Sequence, residues 1–335
     1  MNAGTPKRVV VTGGAGFIGR AIVGLLAARG DQVVALVRDP DRAQFLKHDR
    51  VTLQASDLSS VAQLAAQMRG ADAMLHGAGS YRVGIKRSEH QRMWDANVGA
   101  TERVLDAAIS AGIPRIVYIS TVNVFGDTHG VAVDESYRRD LAEGFVSYYD
   151  ETKFRAHEAA EKRIADGAPI VIVQPAQVYG PNDHSLASAQ LEQAHAGKLR
   201  YLALANAGMA WVHVDDLATG IIAALDRGRI GEKYVFAGDC LRMGESIGVA
   251  ARVGGRKPPK LTLPTGLLKL MAPINDGLGG LPGMPDNLAE TISSGDGVTY
   301  WARHDKATQE LGFEPRSLEQ GVTDTWGSKG SPRRT

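Results

Sequence analysis

Val9-Val10-Val11-Thr12-Gly13-Gly14-Ala15-Gly16-Phe17-Ile18-Gly19 joins a β-branched apolar run directly to glycines spaced three apart. Ile18, Ile22, Leu25 and Leu26 then recur at helical spacing, and Gly30 closes the pattern. A strand, a glycine turn and a helix in that order make a phosphate cradle. A pyrophosphate must approach the backbone closely, a Cβ would obstruct it, and the helix N-terminus offers free N–H groups with a partial positive charge. A glycine triplet alone is a weak signal, but here the strand precedes it and the helix follows it. The rival reading is a glycine-rich turn without a ligand.

Outward from this turn, short β-branched runs alternate with helical patterns. Strands are expected at 8–11, 32–37, 51–54, 73–76, 115–119 and 170–174. Val98, Thr101, Val104, Leu105 and Ala108 form a second helical face, ended by Gly112 and Pro114. Such alternation predicts an α/β fold, a doubly wound parallel sheet covered on both faces. After Pro175 the pattern changes. Segments 178–210 and 236–300 are richer in Gly and Pro, with Pro258, Pro259, Pro264, Pro273, Pro282 and Pro285 interrupting them. The expected division is 1–177 plus about 211–235 for a dinucleotide-binding domain, and about 178–210 with 236–326 for a smaller C-terminal substrate lobe. The tail 328–335 is expected to be disordered.

With 335 residues, 44% of them hydrophobic, the chain can bury a sizeable core. Lys+Arg total 38 and Asp+Glu 37, which lacks the basic footprint of a nucleic-acid binder. The lone Cys240 excludes an internal disulfide and fits a reducing compartment. Lys7 and Arg8 before an apolar run imitate a secretory signal, but Arg20 and the turn glycines interrupt it. No stretch reaches the roughly 18 uncharged apolar residues of a membrane helix. A cytoplasmic protein with no nucleic-acid or membrane partner is expected. The histidines show no paired ligand spacing, so no metal is expected, and His213 reads as structural.

The second strand bears on cofactor choice. An acid at its end usually binds the ribose hydroxyls of NAD. Here Val37 stands at that place and Arg38 follows, and a guanidinium suits a 2′-phosphate. NADP(H) is preferred, with NAD(H) as the alternative should Asp39 perform the ribose role. Asp57, followed by Leu58, is placed to contact the adenine, or else serves as a helix N-terminal acid.

Tyr149 and Lys153 lie four apart in a helical stretch and share a face. A phenol with pKa about 10 is a poor acid–base catalyst at neutral pH. A nearby ammonium is expected to lower it. Upstream, Ser120-Thr121 ends a predicted strand at the sheet edge where such folds bind ligands, and either hydroxyl could hydrogen-bond a substrate oxygen.

Together, Thr12-Gly13-x-x-Gly16-x-x-Gly19, Asp57, Asn97, Ser120-Thr121 and Tyr149-x-x-x-Lys153 resemble the extended short-chain dehydrogenase/reductases of the NAD-dependent epimerase/dehydratase superfamily. Pro175, Val178-Tyr179-Gly180-Pro181, Val212-His213-Val214-Asp215-Asp216-Leu217 and Asp305-Lys306-Ala307 agree, from about Arg8 to Trp326. The resemblance implies a Rossmann domain with a smaller substrate lobe and a Ser/Thr–Tyr–Lys triad. Tyr149 would be the general acid or base, and Lys153 would bind the nicotinamide ribose and tune Tyr149. Thr121, five before Gly126, would be the catalytic hydroxyl, with Ser120 the second choice. Asn97 would support the proton relay, or else bond the backbone inside a helix. His76, Gly77 and Ala78 would line the cofactor along with Thr12, Phe17 and Ile18. Pro175 and Val178 would face the nicotinamide. A homodimer through the helices carrying Asn97 and Tyr149 is implied by analogy.

Departures narrow the substrate. Sugar-nucleotide members tend to carry Arg-Pro-x-Asn before Tyr-Gly-Pro, where this chain has Gln174-Pro175-Ala176-Gln177. The arginine often found before the Val-Asp-Asp segment is absent from Gly208-Met209-Ala210-Trp211-Val212. A diphosphate needs such cations. Val37-Arg38-Asp39-Pro40 resembles the dihydroflavonol-reductase-like and hydroxysteroid-dehydrogenase-like branches. The expected function is NADP(H)-dependent reduction of a ketone or aldehyde, or oxidation of the secondary alcohol, of a small, fairly apolar molecule. Lys198 and Arg200 keep a nucleotide-sugar epimerase or dehydratase open as the alternative. A non-catalytic dinucleotide sensor is the third reading.

Overall fold

The computed structural model describes residues 6–278, 280 and 284–327. The tail expected to be disordered, and Pro282, lie outside them.

Seven parallel strands form the main sheet: β1 (Arg8–Thr12), β2 (Gln32–Val37), β3 (Val51–Ala55), β4 (Ala73–His76), β5 (Ile116–Ile119), β6 (Ile170–Pro175) and, last in sequence, Lys233–Phe236. β7 (Gln177–Tyr179), β8 (Tyr201–Leu202) and β9 (Gly208–His213) precede that edge strand, which is therefore β10. The order β10-β6-β5-β4-β1-β2-β3 places β1 beside β4, where the strand order reverses, and the crevice at that point is where such sheets bind ligands.

Alternation along the strands separates two cores. Val9, Val11, Val33, Ala35, Val117 and Val171 face one layer, covered by helices Phe17–Arg29 and Val214–Arg227. Val10, Val34, Met74, Ile116, Ile170 and Ile172 face the other, covered by helices Val61–Met68, Ala100–Ser110 and Tyr148–Ala165. Strands buried on both sides are continuous apolar runs, which is why their positions were readable.

A smaller sheet contains β11 (Cys240–Arg242), β9 and β13 (Thr299–Tyr300), with β7 pairing on β9. Gln177 and Trp211–His213, expected within the first domain, hydrogen-bond in this sheet, where β9 pairs with β7, β11 and β13, while Ala210 and Val212 pack into the core beside the main sheet. Trp211 is wholly buried there and donates its indole N–H to Ser246 Oγ at 2.8 Å. β8 and β12 (Leu261–Thr262) make a separate two-stranded ribbon. No helix of the described residues is long and apolar enough to cross a membrane.

Candidate active site

The glycine turn sits where β1 meets the helix Phe17–Arg29. Gly13 has φ +74°, and a Cβ there would lie 2.6 Å from the backbone of Gly77 and Ala78. At Gly19 a Cβ would come 2.1 Å from the Gly13 carbonyl oxygen. The glycines therefore serve backbone packing between the β1 and β4 turns and the helix start, in addition to opening room for a phosphate. Gly16 caps the helix with no side-chain hydrogen bond, which leaves the first N–H groups for an anion.

A cleft of about 710 Å³ opens from this turn. Of the cofactor residues expected from sequence, Gly13, Gly16, Arg38, Asp57, Leu58, Gly77 and Ala78 line it. Thr12, Phe17, Ile18, Gly19, His76, Lys153, Pro175 and Val178 do not. Thr12 and His76 are buried beneath the turn, bonded to each other through Oγ1 and Nδ1 at 2.7 Å. His76 Nε2 meets Thr101 Oγ1 at 3.0 Å, and burial, with the Lys153 charge, holds the imidazole neutral by drawing its pKa down to about 3. Their role is to fix the floor of the cleft. Gly19 acts through packing, Phe17 and Ile18 begin the helix, Pro175 ends β6 inside the core, and Val178 lies in β7.

At the adenine end, Asp57 Oδ1 accepts from the N–H (2.9 Å) and hydroxyl (2.6 Å) of Ser59, and these bonds hold its carboxyl below the usual range. Leu58 adopts φ +60°, rare for a branched side chain, and its carbonyl accepts from Arg103 Nε at 2.8 Å. Arg38 forms no ion pair among the described residues. Asp39 is tied into its own turn, with Oδ1 accepting from the N–H groups of Asp41 and Arg42 at 3.1 and 3.2 Å. Arg82, Arg92 and Arg103 also line the cleft. Sequence reading missed them, because they are spread over the loop and helices after β4 with no shared motif. Turn, cleft and unpaired guanidinium fit a dinucleotide.

Beside the cleft lies the constellation expected to do chemistry. Ser147 caps the helix Tyr148–Ala165, accepting from the Asp150 N–H at 3.1 Å. Asp150 is wholly buried and paired with Arg139 at 2.8 Å, and it also accepts from the Val146 N–H at 3.2 Å. This clamp fixes the first turn of the helix, which carries Tyr149. The Tyr149 ring packs among Ile85 and Met93 and meets Tyr81 edge-on at 5.0 Å. Burial pushes its hydroxyl well above the usual phenol value, and Tyr81, Tyr118, Asp150 and Tyr300 push the same way. That direction corrects the expectation that Lys153 lowers it. The Lys153 ammonium is itself desolvated, drawn down to about 8, and lies 5.6 Å from the Tyr118 ring centroid.

The two candidate hydroxyls are separated by their partners. Ser120 Oγ is buried and bonded to His157 Nδ1 at 2.9 Å. Thr121 caps the short helix Val122–Phe125, accepting from the Asn123 N–H at 3.2 Å and donating to Asn123 Oδ1 at 2.9 Å. Asn97 lies in a widened helical turn, Asp95–Gly99. Its Nδ2 donates to Thr152 Oγ1 (3.0 Å) and the Ser80 carbonyl (3.1 Å), and its Oδ1 accepts from the Ser80 N–H (2.6 Å). Asn97 thus joins the helix Tyr148–Ala165 to the loop after β4.

A smaller pocket adjoins this set, lined by Tyr81, Val122, Asn123, Gln177, Met209 and Tyr300 among others. It draws on the loop after β4, the turn after β5 and the smaller sheet, so no single sequence segment announced it. Its lining contains no lysine or arginine. Lys198 and Arg200 are exposed and lie outside it. Another groove, between helices Thr265–Gly277 and Leu288–Ser293, holds the Lys269–Asp296 ion pair (2.8 Å) and none of the expected site residues. His213 is structural, capping the helix Val214–Arg227. No group of three metal-ligating side chains occurs among the described residues.

A doubly wound parallel sheet with a dinucleotide turn and a tyrosine–lysine helix beside it defines a nucleotide-cofactor oxidoreductase of the extended short-chain type. The chain belongs to the NAD dependent epimerase/dehydratase family, whose model matches residues 9–237. It is similar to a putative dihydroflavonol 4-reductase of Synechocystis, at 30% identity over 339 residues, covering 94% of this chain and 92% of the relative. Among solved structures it resembles gox2253, with a TM-score of 0.80 at 30% identity, covering 96% of this chain and 97% of that one. It also resembles a dTDP-glucose 4,6-dehydratase of Streptomyces venezuelae solved with NAD bound, with a TM-score of 0.76 at 25% identity, covering 96% and 97%.

Proposed function

We propose that the chain reduces a ketone or aldehyde of a small, fairly apolar molecule, or oxidises the corresponding secondary alcohol, with NADP(H). The observation that carries the substrate class is the pocket beside Tyr149, which offers apolar and neutral polar side chains and no cation for a diphosphate. The reductase name of the Synechocystis relative agrees. The Streptomyces dehydratase keeps a nucleotide sugar as the second reading. Support for NADP(H) comes from the unpaired Arg38 at the end of β2, next to an Asp39 already committed to its own turn.

When bound, the cofactor supplies or accepts the hydride. The chain orients the reacting carbonyl and handles its proton. Tyr149, protonated across the physiological range, is the acid in reduction and donates from its hydroxyl. The Lys153 ammonium stabilises negative charge left on that oxygen. Thr121 offers a second donor to the developing oxyanion by releasing Asn123. Asn97 and the Arg139–Asp150 clamp hold the helix and loop in register. The setting is cytoplasmic and the working unit a homodimer through the helices carrying Asn97 and Tyr149.

NADPH oxidation against a panel of ketones and aldehydes tests the reading. Turnover of an apolar carbonyl compound supports it. Strong thermal stabilisation by UDP- or dTDP-sugars without carbonyl turnover replaces it with the epimerase or dehydratase. Cofactor binding with no turnover of any substrate favours the sensor.

A further inference from the structure

We infer that the smaller lobe docks on an anionic lipid surface through the outer ridge of the helix Thr265–Gly277 and the basic ribbon that leads into it. The helix is apolar on two sides. Leu268 and Ala272 face inward, packed with Leu288 and Ile292. Leu267, Leu270, Ile274 and Leu278 recur at three- and four-residue spacing on another face and are 46%, 74%, 65% and 69% exposed. Solitary exposed leucines are ordinary, but a row of four on one helix face is an interaction surface.

Charge identifies the occupant. β8 and β12 pair just before the helix, with Tyr201 opposite Leu261, 49% and 58% exposed. The segments that supply these strands, 193–214 and 246–275, contain no Asp or Glu. They carry Lys198, Arg200, Arg252, Arg256, Lys257 and Lys260, all exposed and none in an ion pair among the described residues. Lys269, on the polar side of the helix, is the exception, paired with Asp296. Many cations elsewhere sit in ion pairs, such as Lys7–Asp226, Arg163–Asp106 and Arg229–Glu310, whereas none of these six does. Unpaired cations beside an apolar helical ridge suit a bilayer interface, where the ridge enters the acyl boundary and the cations meet lipid phosphates. At 13 residues the helix spans roughly 20 Å, too short to cross a bilayer and long enough to lie flat on one. No helix of the described residues is long and apolar enough to cross a membrane, which says nothing of surface docking; docking is the opposite of the expectation of no membrane partner. The helix packs on Leu288–Ser293, and the next residue, Ser294, lines the pocket beside Tyr149, so docking brings that pocket near the bilayer. Docking itself does not depend on the substrate reading.

Co-sedimentation of the full chain with phosphatidylcholine vesicles, with and without about 30% phosphatidylglycerol, tests the inference. Binding to the anionic vesicles is expected, with loss at about 0.5 M NaCl. The Leu270→Gln/Ile274→Gln variant should bind about tenfold more weakly. Lys257→Gln/Lys260→Gln should lose about fivefold per cation. All four residues are exposed, so circular dichroism and cofactor affinity should not change. Failure of the wild-type chain to bind, or binding indifferent to the leucine–isoleucine variant, overturns the proposal. So does light scattering that reveals a dimer dissociated by that variant, which would make the ridge a contact between copies.

Discussion

Replacing Arg139 with Met should destabilise the protein by about 3–5 kcal/mol at neutral pH. The side chains of Arg139 and Asp150 are only 6% and 0% exposed, so the estimate for a surface pair, about 0–1 kcal/mol, does not apply. The guanidinium donates to both Asp150 oxygens, at 2.8 and 3.1 Å, and to the Gly144 carbonyl at 2.7 Å, and it lies over Phe145 with 4.6 Å to the ring centroid. Methionine retains much of the stem packing but leaves a buried carboxylate facing only N–H groups. Burial already pushes the Asp150 carboxyl up, and Arg139 is the strongest group pulling it back. Without that pull the folded-state value rises further above the unfolded value near 3.8. Between those values the folded chain holds a proton that the unfolded chain has released, so stability falls as pH rises through the window. The deficit of Arg139→Met should therefore be small near pH 4 and complete once pH exceeds the folded value. Urea denaturation across pH measures it, and Arg139→Met/Asp150→Asn should recover at least about 1 kcal/mol relative to the sum of the single variants. A deficit under about 1 kcal/mol at neutral pH, or one independent of pH, would refute the clamp.

Gly19→Ala should cost about 1–3 kcal/mol and weaken cofactor binding at least about tenfold, because its Cβ would meet a backbone carbonyl that cannot swing away; denaturation and cofactor titration read both. Arg38→Ala should raise the KM for NADPH about ten- to a hundredfold and change that for NADH little; equal effects on both would return the ribose role to Asp39. Lys153, drawn down by burial to about 8, loses its charge as pH rises through that value, so the alkaline limb of reductive kcat/KM should fall there. Lys153→Arg, charged at all accessible pH, should abolish that limb whatever activity it retains. For stability the sign is opposite: between about 8 and 10.5 the unfolded chain holds the extra proton, so stability gains as pH rises through that interval.

The features legible in the sequence are those written in local chemistry. The strand–glycine–helix turn and the six early strands each declare themselves within a dozen residues, and the structure places β1 and its turn at the reversal of strand order. What stayed hidden depends on partners far apart in the chain. Thr12 and His76, which the resemblance sets against the cofactor, are bonded to each other across 64 residues, a pairing that no local motif announces. Ser120, already the second choice after Thr121, has its hydroxyl bonded to His157, a partner 37 residues away that no local motif announces. The expected lowering of the Tyr149 pKa considered charge alone, whereas burial is the leading influence and raises it. The smaller sheet was unreadable because its strands are two to six residues long and gathered from four separated segments.

Stopped-flow measurement of NADPH oxidation by Tyr149→Phe, on a carbonyl substrate that the wild-type chain turns over, bears most directly on the proposed chemistry. Cofactor affinity should stay within a few-fold, while the rate of hydride transfer should drop by about a hundredfold or more. A rate near the wild-type value, with cofactor bound normally, would show that the proton comes from elsewhere and that the buried phenol is only part of the packing.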